Sequence, residues 1–406
     1  MAQLLTTNHR RGAGTGGRVR AAKVVVPSRR GRVAVALLAA VLSLSVIGAG
    51  TGTAVAATVP FPNVPVAGDR VDGIGFAALV VGNTVYVGGT FTTVRNQAGA
   101  TVASRANLAA FDATTGRLLT SFRADTNGKV ADLVTDGTNL YAAGAFTTVN
   151  GVARGRVAAL DPVTGAVRAG WAANTTGLVS ALAVGGSNLY LGGSFGSVGG
   201  VARSRIAAVR RSDGGVVTAF AATVSSPVFA VGAQPDGSKV YVGGGFTTVD
   251  GASRPYLAAV SGTTGALSTP VFSGVSGLTL DIDVPPGGTR LAVGTGGSGN
   301  QSAWFSLATG SKQWRQRCDG DTQAVKVVGT ELYGGFHEGC DGSTATRMTD
   351  NDTATGARVT AFHPTFDRFW GVWDLDATPT VLAVAGDFTR VGGVPAQGFA
   401  IFRRTG

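Results

Sequence analysis

The sequence predicts an all-β fold built from one repeated antiparallel unit, and three observations carry that expectation. The stretch "VYVGGTFTTV" at 85–94 returns as "LYAAGAFTTV" at 140–149, "LYLGGSFGSV" at 189–198 and "VYVGGGFTTV" at 240–249. Its anchor phenylalanines, Phe91, Phe146, Phe195, Phe246, Phe336 and Phe388, stand 55, 49, 51, 90 and 52 residues apart. The long interval is two periods with one anchor missing, at "LAVGTGGSG" (291–299), so the chain counts seven units of about fifty residues. No stretch after residue 57 carries a 3.6-residue apolar period, so helix is expected to be nearly absent.

Each unit has the same internal order. "LVSALAVGGS" (178–187) alternates and ends in turn residues, as a strand and its turn should. "NLYLGGSF" is a second strand whose paired glycines suit a bend or a close backbone approach. A polar loop, "GSVGGVARS", precedes a third strand, "RIAAVRR", and the turn "SDGG" leads to a fourth, "VVTAF". The same order gives "LAAFDATTGRLLTSF" at 108–122 and "VAALDPVTGAVRAGW" at 157–171, where Asp-x-x-Thr-Gly is hairpin chemistry with glycine at the positive-φ position. Four antiparallel strands repeated seven times describe a seven-bladed β-propeller. The chain ends on "GFAIFRR" (398–404), which matches a third strand, so the last blade's fourth strand is expected from the N-terminal side, within "TVPFPNVPV" (58–66). Such a closure removes the exposed sheet edges of a linear array.

Residues 1–56 stand apart. They hold eight Lys or Arg and no acid, so the chain's formal charge of +11 falls to +3 for 57–406. The Arg-rich start, the apolar run "VAVALLAAVLSLSVIG" (33–48) and "TAVAA", with Ala54 and Ala56 in a small-x-small pattern, form an export signal. Cleavage is expected between Ala56 and Ala57, leaving 57–406 as a secreted, extracellular propeller; an uncleaved N-terminal anchor is the alternative. With the basic excess gone, nucleic acid is not an expected partner, and after cleavage neither is a membrane. Cys318 and Cys340, the two cysteines present, are expected to pair as one disulfide in that compartment. A zinc pair would want two further ligands, and His337 is the sole close one.

The pieces Gly88-Gly89-Thr90-Phe91-Thr92, Gly243-Gly244-Gly245-Phe246-Thr247 and Gly386-Asp387-Phe388-Thr389 follow the phrase GGxFTxVxGxxR. In them the chain resembles the secreted bacterial propellers of the delta-60 type repeat, a family whose function is largely uncharacterised. Units two and three depart from the phrase at Ala143 and Gly196, and unit five lacks the Phe. The "ALDPVTG" and "AFDATTG" pieces look like quinoprotein-type repeats, with Trp171 at the usual closing tryptophan but Phe122 and Phe220 at the equivalent places. The Gly-Gly strands are also similar to kelch repeats. The resemblance implies fold and export, and says little about activity.

The repeated phrase is therefore read as scaffold. Arg105, Arg154, Arg203 and Arg254, each three residues before a third strand, are read as bonds to carbonyls or Asp within a blade, against the alternative of a cationic rim. Function is sought where the repeat breaks. Unit six holds both cysteines, both glutamates of the chain (Glu331 and Glu338), His337, and the Asp-rich pieces "CDGD" (318–321) and "TDND" (349–352). "FHPTFDRFWGVWDL" (362–375) follows, with His363 and five aromatics. Trp370 and Trp373 are expected to stack on a sugar ring, with His363, Asp367 and Arg368 beside them as hydrogen-bonding partners. Aligning "GVWDL" with "KVADL" (129–133) leaves a second reading open, in which Trp373 is a core residue of an innermost strand. That alignment also places Asp132, Asp281 and Asp374 at one equivalent position on the first strands of units two, five and seven. These could converge on the axis and hold Ca²⁺ through oxygen ligands, or each could cap a local turn.

The expected function is a secreted, monomeric, non-catalytic binding protein for a carbohydrate or a cell-surface partner. The alternative is an extracellular enzyme on the same scaffold. Copper-radical oxidase chemistry lacks its His, Tyr and Cys set here, and no metal-binding Glu and Asn set for a quinone cofactor can be located. Glycan hydrolysis needs two carboxylates at a suitable separation, which Glu331, Glu338 and the neighbouring aspartates keep open.

Overall fold

Seven principal sheets follow one another along the chain, one for each sequence unit. The computed structural model describes residues 59–340 and 342–404, so the segment read as an export signal lies outside the described residues. Ala57–Gly406 forms one compact unit. Every strand pairing in the seven sheets is antiparallel, and no helix occurs among the described residues. The first sheet contains Ile74–Val81, Thr84–Thr90 and Leu108–Asp112. The third contains Val179–Gly185, Asn188–Gly193 and Ile206–Arg210. The fifth alone has four strands, adding Lys312–Arg317 outside Gln301–Ser306.

The turns form for the reason the sequence implied. Asp112 Oδ1 accepts from the N–H groups of Thr114 and Thr115 (3.0 and 2.7 Å), and Gly116 closes the turn at φ +66°. Asp161 and Asp352 repeat the arrangement with Gly165 and Gly356. The six anchor phenylalanines are all buried. Paired glycines in the second strands have two distinct tasks. A Cβ on Gly88 would run into Val130 of the next sheet, and one on Gly89 into the Ile74 carbonyl of its own first strand. Arg105, Arg154 and Arg203 donate to the carbonyls of Phe122, Arg168 and Thr218, which is the scaffold reading of that repeat.

Two expectations about strands need correction. The fourth segment of most units does not extend into a strand. It bridges the third strand at one pair, as in Phe111–Leu118 and Leu160–Val167, then turns inward. The reason is the residue that follows: Phe122, Trp171, Phe220, Phe272 and Phe362 each dive against a second-strand tyrosine, with ring centroids 5.3–6.1 Å from Tyr86, Tyr141, Tyr190, Tyr241 and Tyr333. Nor is there a strand within the described part of the segment expected to complete the last sheet. Pro60, Pro62 and Pro65 carry no N–H, so a ladder cannot form. A single bond from Val66 N–H to the Ile401 carbonyl (2.7 Å) replaces it, and Phe61 is buried in the core of the seventh sheet.

Consecutive sheets pack through their first strands, and Gly371–Ala377 of the seventh also packs against Ile74–Val81 of the first. Second-strand tyrosines latch some of these joints from the far side. Tyr86 and Tyr190 donate their hydroxyls to the carbonyls of Pro162 and Gly262 in the sheets that follow (2.6 and 2.9 Å).

Candidate functional site

All seven first strands carry a register shift at the same place, so one residue of each bulges out of its ladder. The bulged residues are Phe76, Ala131, Ser180, Phe229, Leu280, Gln323 and Trp373. The alignment of Trp373 with Ala131 was therefore right in position, but neither is a core residue. Trp373 is half-buried, because the bulge re-aims it out of the sheet.

There Trp373 joins an aromatic cluster. Its ring stacks on Trp370 (centroids 6.1 Å, planes at 23°) and packs on Phe76 at 5.4 Å. Phe369 meets Trp370 edge-on at 5.2 Å, and His337 touches both at 5.5 and 5.4 Å. Lys129 Nζ lies 4.5 Å above the Phe76 ring, a cation–π arrangement. Phe369 and Trp370 are 50% and 39% exposed, which leaves a substantial apolar surface in water. Burial holds the His337 pKa below its usual value against the opposing charges of Asp321 and Glu338, so at neutral pH the ring is uncharged. Burial likewise lowers the Lys129 pKa.

The polar partners expected around the tryptophans are engaged elsewhere. His363 is tied to the N-terminal segment, with its N–H on Asn63 Oδ1 and its Nδ1 3.0 Å from the Thr360 carbonyl. Asp367 accepts from the Thr389 and Arg390 N–H groups (2.8 and 3.1 Å) and from the Thr389 hydroxyl. It repeats Asp72, Asn127, Thr176 and Ser225, which hold the same turn in other units. Burial alone would raise the Asp367 pKa, but those hydrogen bonds outweigh it and the net shift is downward. Arg368 pairs with Asp387 at 3.2 Å. Of the five residues read as one site, the structure unites Trp370 and Trp373; the missed members are Phe369, His337, Phe76 and Lys129. The run of aromatics at 362–375 was a signal for Phe369. Nothing local marked Phe76, which reaches the cluster from the other end of the described chain.

Asp132, Asp281 and Asp374 lie close enough to interact, since the Asp281 charge raises the pKa of Asp132, and Asp281 and Asp132 raise that of Asp374. Asp132 Oδ1 accepts from Leu133 N–H (2.7 Å) and Oδ2 from Leu182 N–H in the next sheet (2.6 Å). Asp281 holds Ile282 and Val325, and Asp374 holds Leu375 and Ala78, in the same manner. Each carboxylate thus clamps its own bulge to the neighbouring sheet. Among the described residues no group of three His, Cys, Asp or Glu is arranged to hold a metal ion, and the turn-capping alternative matches the hydrogen bonds these aspartates make. Burial pushes Asp132 up to about 7 and Asp281 to about 6, and Asp374 well above the usual range, the last reinforced by Asp281 and Asp132. Two residues further on, Asp283 and Asp376 accept from Val327 and Val80. Lys326 lies between them, 3.2 and 3.1 Å away. Burial would discharge that ammonium; Asp376 and Asp283 outweigh it and raise its pKa. The repeated D-x-D in "DID" and "DLD" was a legible sign of this pair, since alternate residues share a strand face.

Unit six holds a carboxyl pair of another kind. Glu331 and Asp350 lie on adjacent strands and are both buried, and Arg404 contacts Glu331 and the Tyr333 hydroxyl while its guanidinium covers Phe61 at 4.1 Å. Burial first, then the Glu331 charge, lifts Asp350 to about 8. Both carboxyls lie inside the core, 4% and 0% exposed, so the pair is not placed to attack a glycan. Cys318 and Cys340 form the expected disulfide, fastening the end of the fifth sheet to the loop after Phe336.

No family model and no curated protein matches the chain. Among solved structures, it is similar to the computationally designed Ika8 protein, at 13% identity and a TM-score of 0.52, over 85% of this chain and 100% of that one. At that identity the likeness concerns fold alone.

Proposed function

We propose that the seven sheets are the blades of a closed β-propeller of the delta-60 repeat type, exported and acting as a binding protein for carbohydrate. The hydrogen bonds from Ala78 and Val80 to Asp374 and Asp376, which join the seventh sheet to the first, support closure. So does the uniform bulge of the first strands. The disulfide agrees with an exported chain.

The observation that carries the binding reading is the exposed stack of Trp370 on Trp373, flanked by Phe369 and Phe76. An indole face with exposed edges suits the C–H face of a sugar ring, while His337 and Lys129 offer polar edges. Catalysis is the weaker reading, because the close carboxyl pair Glu331–Asp350 is buried. The test is a pull-down of the exported protein on insoluble polysaccharides and cell-wall fractions, beside Trp370→Ala. Binding that weakens at least about tenfold in the variant is expected, the scale of an aromatic anchor. If the native protein binds none of these materials, the glycan reading fails and a protein partner takes its place.

A further inference from the structure

A surface depression lies at the other end of the first strands, between the second and third sheets. Two adjoining grooves, of about 340 and 240 Å³, share Asn139, Arg211 and Ser212; the larger also reaches Asp136, and the smaller Arg168 and Trp171. We propose that this groove binds a neutral polyhydroxylated ligand, one or two sugar rings in length, through the indole N–H of Trp171.

The argument starts from the repeat. Trp171 occupies the place that Phe122, Phe220, Phe272 and Phe362 hold against their tyrosines. A phenylalanine therefore satisfies the packing requirement there. The tryptophan adds one polar atom, Nε1, and that atom is buried with no hydrogen-bond partner, on a residue 2% exposed. An unmet buried donor is destabilising, so its presence at a groove wall points to a partner supplied from outside. The joint is also looser here. The Tyr141 hydroxyl stands 3.3 Å from the Arg211 carbonyl, against 2.6 and 2.9 Å at the two neighbouring latches, and it donates to Asp136 (2.8 Å) instead.

Charge selects the ligand class. Arg168 faces Asp161 at 3.2 Å, Arg210 faces Asp213 at 2.9 Å, and Arg211 faces Asp136 at 3.3 Å. Three guanidiniums are matched by three carboxylates, so the groove offers no net attraction to an anion. Arg211 Nε keeps its ion-pair distance without hydrogen-bond alignment, a second buried donor with no hydrogen-bond partner. Planar donors beside an amide and a hydroxyl, around a balanced charge set, fit vicinal hydroxyls.

The experiment follows the five indole N–H resonances of the full exported protein. The probes are maltohexaose, cellohexaose and chitohexaose, with inorganic phosphate and oligogalacturonate as charged controls. Trp171→Phe identifies the resonance and installs the residue the repeat already tolerates; Ser212→Arg fills the groove from an exposed position. The expected result is a saturable shift of the Trp171 resonance with at least one neutral probe. Affinity should fall about tenfold or more in Trp171→Phe, vanish in Ser212→Arg, and be unchanged at this site in Trp370→Ala. The proposal is overturned if none of the three neutral probes moves the Trp171 resonance, or if the charged controls alone do. Movement confined to Trp370 and Trp373 would overturn it while leaving the aromatic-face reading standing.

Discussion

Replacing Asp374 by alanine tests the clamp that joins the seventh sheet to the first. The substitution is sterically neutral, because Ala77, Ala181, Ala230 and Ala324 hold the equivalent place in four other sheets. It removes the acceptor for two N–H groups, those of Ala78 and Leu375, at residues 3% and 4% exposed. Each donor left unmet costs about 1–3 kcal/mol, so the loss is about 2–6 kcal/mol. With an unfolding entropy of about 2.1 cal/mol/K per residue, a unit spanning Ala57–Gly406 loses about 1.4 °C of Tm per kcal/mol. The expected fall is about 3–8 °C, followed by circular dichroism. The pH dependence sharpens the test. The folded pKa of Asp374 lies well above its ordinary 3.8. The folded state therefore keeps a proton that the unfolded chain has lost, and the wild type weakens as pH rises from about 4 toward that folded value. Alanine removes this burden, so the difference between variant and wild type should be larger at pH 5 than at pH 8. An unchanged Tm at pH 5, or a difference that grows with pH, would refute the clamp. Calcium should shift neither protein.

Two other perturbations have defined signs. Asp350, lifted to about 8 from 3.8, makes the fold lose stability between about pH 4 and pH 8. Asp350→Asn imitates the protonated acid, so its Tm should match the wild type at pH 5 and exceed it at pH 8; a steeper pH dependence in the variant would contradict the raised Asp350 pKa. Reducing the Cys318–Cys340 bond, which spans 22 residues, should remove about 3 kcal/mol and lower Tm by about 4–5 °C. A reductant that leaves the melting curve in place, once free thiols are confirmed, would show that the loop needs no tie.

Legibility in the sequence followed the range of the interaction. The hairpin aspartates and their glycines were readable because a turn is decided within five residues, as at Asp112–Gly116. The second-strand glycines were readable as close approaches, though not which neighbour they approach. Asp367 was misread as a ligand: its role as a turn holder is shared with Asn127, Thr176 and Ser225, and four residue types performing one task leave no motif. Asp350 was read among the acids that kept glycan hydrolysis open, and nothing local marked it as buried, since acids are seldom buried unpaired. The neighbouring charge that raises its pKa, Glu331, and the arginine that balances Glu331 become visible when the sixth sheet and the chain end are assembled.

The sequence by itself determined the all-β character, the seven-unit period, the turns, the buried anchor phenylalanines and the cysteine pair. Alternation and turn chemistry act over a few residues, and a repeat copies them. Tertiary structure decided which side chains meet. A one-residue bulge re-aimed Trp373 from the core toward Trp370 and Phe76. Packing of the second sheet against the third left Trp171 lining a groove with its buried N–H unpartnered. Asp132, Asp281 and Asp374 became clamps because the neighbouring sheet offers an N–H within reach of one carboxylate oxygen while the other holds the strand's own bulge. Such contacts depend on the order and spacing of sheets far apart in the chain, and no local pattern encodes them.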